Sequence, residues 1–273
     1  MKQLLVATDF SACAGNAMEY ALGIAKVLEL EVCVIHAIGE NEGVDNNIFN
    51  AIYIEDYRNN KKQTLGIWAD SFKNTERHAD VQITTFVEVG SVTKVLTDYI
   101  NDHPVEMLVM GTMGSTGITG LFGSNANAMI IKTKTPTLIV PLESKFIENP
   151  VITLAIDFSS NLSVKDVNAL QELIEAFRLQ KLNVVNVIED TAWKVNEAGE
   201  SRLKELITDT TLDFNYIKED NTVGGIMNFI VSNNTDILCV VKHHHNLIYR
   251  IFNKSTINQV MNKTIKAILV LHE

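Results

Sequence analysis

Residues 4–38, LLVATDFSACAGNAMEYALGIAKVLELEVCVIHAI, are echoed by residues 152–189, ITLAIDFSSNLSVKDVNALQELIEAFRLQKLNVVNVIE. Each stretch holds a short apolar run, then Asp-Phe-Ser, then apolar residues at helical spacing, then a second apolar run. The order is strand, acid, helix, strand, and it occurs twice. Asp9 and Asp157 therefore fall at the carboxyl ends of strands. The closing parts of the two halves also match, since residues 109–141 align without a gap onto 240–272 and pair LVM with CVV and TLIV with ILVL. A duplicated domain accounts for both matches.

Within the first copy the pattern predicts strands at 3–8, 31–37, 82–88, 105–110 and 137–140, with helices at 14–29, about 50–77, 91–102 and 125–133. Strands alternating with helices mean a doubly wound parallel sheet. The fold class is α/β: two tandem five-stranded, Rossmann-like domains of strand order 3-2-1-4-5, spanning 1–145 and 146–273. LESKFIENP at 142–150, polar and ended by Pro150, reads as the linker. Trp68 and Phe72, four apart, share one face of the second helix, as packing residues do.

A chain of 273 residues suits two such units. The net charge of −10 is shared, with 11 Lys/Arg against 17 Asp/Glu up to residue 146 and 12 against 16 beyond it. Neither half is basic, which argues against a nucleic-acid partner. Cys13, Cys33 and Cys239 are far apart in sequence and form no CxxC motif, so a reducing cytoplasm is expected. The absence of an apolar run of 18 residues and of a leader-like start argues against membrane insertion and secretion.

The chemistry concentrates in MGTMGSTGITGLFGSN, 110–125, which leaves an apolar strand and opens a helix. Gly111, Gly114, Gly117, Gly120 and Gly123 leave the backbone bare and able to take positive φ. Ser124 and Asn125 then stand at a helix N-terminus, where N–H groups and the dipole favour phosphate. Ligands of doubly wound sheets bind beyond the carboxyl ends of the strands, and the expected order places Asp9 beside this loop. A carboxylate there suits ribose hydroxyls, although Asp after a strand also commonly caps a turn.

With Asp9 ending the first strand, Gly111-Thr112-Met113-Gly114 following the fourth, and Gly123-Ser124 after a spacer, the chain resembles the universal stress proteins, in particular their ATP-binding members. The spacer, residues 115–122, is eight residues long, one fewer than the family's usual run. The resemblance covers both halves, with the nucleotide motif in the first only. It implies an adenine nucleotide, ATP or AMP, as ligand, with magnesium a candidate companion. It places Ala7, Thr8 and Asp9 around ribose and base and the Ala37 backbone beside adenine. Met110, Gly111, Met113 and Gly114 would line the cleft, and Gly123, Ser124, Asn125 and Ala126 would hold the phosphates. It further implies an intramolecular pseudo-dimer in which 136–140 meets 267–271, with homodimers and unidentified protein partners as further expectations.

In the gapless alignment Lys242, His243, His244 and His245 replace Gly111 to Gly114, and Lys254-Ser255 replaces Gly123-Ser124. Bulky residues keep a backbone from approaching a pyrophosphate, so the second copy is expected to hold no ATP despite Asp157. The three histidines read as a polar loop rather than a metal site, and an anion site using Lys242, His243 and Lys254 is the alternative. No G-K-[ST] ending and no paired acids accompany the first loop, so efficient phosphoryl transfer lacks its usual parts and no catalytic residue is assigned. The expected function is nucleotide binding in a cytoplasmic stress response. The rival reading is a nucleotide-free interaction scaffold.

Overall fold

In the computed structural model, residues 2–39, 50–73, 78–112, 123–158, 162–188, 196–242 and 266–272 are described, without the side chains of 50–54. The first half runs β1 (Gln3–Ala7), α1 (Ala12–Leu28), β2 (Glu31–Ile38), α2 (Asn50–Lys73), β3 (Ile83–Val89), α3 (Val92–Asp102), β4 (Val105–Gly111), α4 (Ser124–Lys132), β5 (Thr137–Val140). The second runs β6 (Ile152–Ala155), α5 (Val164–Phe177), β7 (Lys181–Ile188), α6 (Glu197–Leu206), β8 (Thr211–Lys218), α7 (Thr222–Ser232), β9 (Ile237–Lys242), β10 (Ala267–His272). Gly117 and Gly120 of the glycine-rich loop, Met113 and Gly114, the histidines 243–245, and Lys254-Ser255 lie outside the described residues.

Each half has the expected order, and the two sheets are one: β3-β2-β1-β4-β5-β10-β9-β6-β7-β8. Pairing is parallel within each half and antiparallel between β5 and β10, where Leu138 faces Leu269, flanked by Ile139–Ile268 and Thr137–Val270. Those pairs are related by a local twofold, so the expected meeting of the last strands holds. Helices cover both faces. Residues of α1, α2, α5 and α6 share one apolar layer, those of α3, α4 and α7 the other, and both layers run across the seam. Strands buried on both faces account for the continuous apolar runs, with Leu4, Leu5 and Val6 fully inaccessible.

The gapless alignment of the closing segments is corrected by the register. Val6 of β1 lies opposite Val109, whereas Leu154, its counterpart in β6, lies opposite Cys239. Val109 and Cys239 also face the same layer, while Val240 faces the other. Gly111 therefore corresponds to Val241 and Thr112 to Lys242, one residue away from the sequence match. An apolar run buried on both faces gives no alternation from which its register could be read.

The segment after β5 is more than a polar tether. Asn16 of α1 donates to the carbonyls of Pro141 and Ser144 at 2.7 and 2.8 Å. The Phe146 ring packs edge-on to Tyr20, at 5.6 Å between centroids, and lies 6.2 Å from Phe177 of α5. A Cβ at Gly23 would come within 2.5 Å of that ring, so α1 carries a glycine mid-helix to admit it.

Candidate functional site

Four residues turn β1 into α1. Thr8 Oγ1 accepts from the Phe10 N–H and Asp9 Oδ1 from the Ser11 N–H, both at 3.0 Å, and Ser11 caps the helix by accepting from Ala14. Side-chain oxygens thus replace the backbone partners a tight turn lacks. Phe10 sits in the left-handed region at φ 64, and its ring lies 4.5 Å from that of His36. His36 Nδ1 is 2.9 Å from the Thr8 carbonyl. That oxygen can only accept, so Nδ1 carries the proton. Asp9 is exposed beyond the strand end while Thr8 is buried.

At the end of β4, Gly111 lies against α1: a Cβ there would stand 2.8 Å from Cys13 Sγ and 3.1 Å from the Cys13 backbone. Among the described residues the glycine at positive φ is Gly90, so Gly111 is required for close approach and not for its dihedral. Thr112, almost fully buried, donates its N–H to the Val140 carbonyl at 3.2 Å, and its Oγ1 is 3.6 Å from Cys13 Sγ. Its own carbonyl accepts from the Gly123 N–H at 2.5 Å. That bond closes the base of the loop and brings the start of α4 against the end of β4. Gly123 caps the helix with no side chain, the first turn carries no acid, and Ser124 and Asn125 are exposed.

Of the expected site residues, Ala7, Thr8, Asp9, Gly111, Gly123, Ser124 and Asn125 gather at the carboxyl edge of neighbouring strands β1 and β4. Ala37 stands on β2, one strand further out. The side chains of Met110 and Ala126 are buried in the apolar layer. Sequence reasoning passed over Ser11, Cys13, Thr112 and His36. The one signal for His36 was a polar residue inside the apolar run EVCVIHAI.

The second half repeats one part of this scaffold. Asn186 donates to the Ile156 carbonyl at 2.7 Å, as His36 does to Thr8. The end of β9 is different. Lys242 Nζ donates to the carbonyls of Ile130 and Ile131, both at 2.8 Å, at the C-terminus of α4 in the other half. Two of its three N–H donors are thus taken by helix carbonyls, while His243 and Lys254 of the alternative anion site lie outside the described residues. Burial lowers its ammonium below the ordinary lysine range. His272, its register partner, is pushed down to about 4 by burial first and the Lys242 charge second.

A doubly wound sheet with a carboxylate and an open helix N-terminus at its carboxyl edge defines a Rossmann-like α/β protein. Residues 1–141 match the Universal stress protein family, and the chain belongs to that family. It is 25% identical over 152 residues to universal stress protein MJ0577 of Methanocaldococcus jannaschii, which covers 51% of this chain and 94% of that protein. A universal stress protein from Archaeoglobus fulgidus DSM 4304 matches 99% of this chain and 98% of its own at TM-score 0.70 and 16% identity. The functionally unknown PA1789 from Pseudomonas aeruginosa PAO1 matches 99% and 92% at TM-score 0.56 and 11% identity. These two likenesses concern the fold and run through both halves.

Proposed function

We propose that the protein is a cytoplasmic stress-response protein that binds one adenine nucleotide, ATP or AMP, in its first half and does not turn it over efficiently. The observation that carries this reading is the Gly123–Thr112 hydrogen bond, which stands the N-terminus of α4 at the end of β4, one strand from Asp9. Ribose hydroxyls can donate to the Asp9 carboxylate. The first-turn N–H groups of α4, aimed along the helix axis, suit phosphate oxygens. The acid-free first turn of α4 sets no negative charge against an anion there.

Calorimetric titration with ATP and AMP tests the reading, with one nucleotide bound per chain as the expected result. Gly114→Val, which adds bulk in the loop, should weaken binding at least about tenfold, or roughly 1.4 kcal/mol. Two sites per chain, or none, would defeat the assignment. Hydrolysis should fall far below the enzyme median of about 10 per second. One observation favours the scaffold reading: Asp9 already caps its turn and Gly111 already admits Cys13, so both have reasons to be present without a ligand. Nucleotide released on denaturing the freshly purified protein decides between the two.

A further inference from the structure

We propose that Lys242, a residue of the second half, is a positioning residue for the nucleotide site of the first, holding the helix whose opposite end meets the phosphates. The inference rests on the reading of that site given above. Helix α4 has nine residues, about 13 Å at 1.5 Å per residue. Its start is fixed by the Gly123–Thr112 bond. The last carbonyls of a helix have no partner within it. Here two of them, Ile130 and Ile131, each accept from the Lys242 ammonium at 2.8 Å.

The donor crosses the seam. Lys242 ends β9, three strands from β4 with β5 and β10 between, and shares a sheet face with Leu238 and Val240, the face that α4 covers. A cation at the C-terminus complements the helix dipole, and the bonds fix the helix along its axis as well as stabilising it. His272, buried beside it and neutral near pH 7, brings no second charge to the same carbonyls. The arrangement is one-sided. The matching residue of the first half is Thr112, whose short side chain stays on Cys13, so no lysine reaches back from that position. A phosphate site built from main-chain N–H groups depends on where the helix starts. A slip of the whole rod moves every donor at once.

The test uses the full chain with Lys242→Met, which keeps the stem and removes the donors, and Lys242→Arg, which restores donors. Amide hydrogen exchange over 124–132 and calorimetric ATP affinity are both read. In Lys242→Met, exchange across α4 should quicken about tenfold while the central strands stay protected, and ATP should bind at least about fivefold more weakly. Lys242→Arg should return both toward the parent. Unchanged exchange in α4 overturns the latch whether or not nucleotide binds, and a loosened α4 with unchanged affinity overturns the positioning role. A parent chain that binds no ATP overturns the nucleotide reading and the positioning role together, and is told apart by the parent titration alone. Should Met at 242 prevent folding, Lys242→Gln takes its place with the same expected order.

Discussion

A methyl group at Gly111 would lie 2.8 Å from Cys13 Sγ and 3.1 Å from the Cys13 carbonyl carbon and oxygen. Gly111→Ala should therefore cost about 1–3 kcal/mol, as overpacking does, read as a lowered urea midpoint. Adding Cys13→Ala should recover only part, because the two backbone contacts remain; full recovery would mean that the sulfur alone sets the limit. Asp9 allows a finer separation. Asp9→Asn keeps an oxygen for the Ser11 N–H but removes the charge, so stability should hold while nucleotide affinity drops. Asp9→Ala should lose both, with about 1.5–3 kcal/mol of binding for a charged hydrogen bond. Equal affinity in Asp9→Asn and the parent would remove the carboxylate from the ribose. Sequence showed the acid and the glycine. It could not show that the glycine is held against Cys13, because those two residues meet only through the fold.

Helix α1 is where the two halves are joined by packing. Gly23→Ala drives a Cβ into the Phe146 ring, with atoms 2.5 to 2.7 Å away, and should destabilise by about 1–3 kcal/mol. Phe146→Ala opens a cavity and should cost about 2 kcal/mol at this partly buried site. The double variant should be clearly less damaged than the sum, since the alanine at 23 fills space that the ring vacates; additive losses in thermal melts would deny the contact its role. At this scale the sequence was legible where elements are long and periodic, as in α1, α5 and the alternation of strands with helices. It was illegible in LESKFIENP, where Leu142, Phe146 and Ile147 among polar residues give no period, and in β9, where five buried residues in a row conceal which face each one takes.

Across the whole molecule the seam carries a titration. The His272 imidazole is held down to about 4 in the folded state, against 6.5 when free, so the unfolded chain takes up a proton first. Its stabilising share is complete above about pH 6.5 and is lost as pH falls from there toward about 4. Between pH 7 and pH 5 this amounts to up to about 2 kcal/mol, and His272→Leu should flatten the fall in urea midpoint over that interval. An unchanged slope would place the pH sensitivity elsewhere. The seam also suggests what residues 1–145 would do alone: with β5 exposed, Leu138 can pair with a second Leu138 as it does with Leu269, and light scattering should report a dimer, a monomer being the contrary result. Joining two such units in one chain has a consequence for inheritance. In a pair of identical subunits every substitution appears twice, once on each side of the axis, so a lysine that braces a neighbour's helix must also replace a residue in its own binding loop. Once the pair is a single polypeptide, each position is written once, and the two sides of the β5–β10 ladder are free to diverge, one keeping Thr112 at the end of its fourth strand and the other carrying Lys242 there.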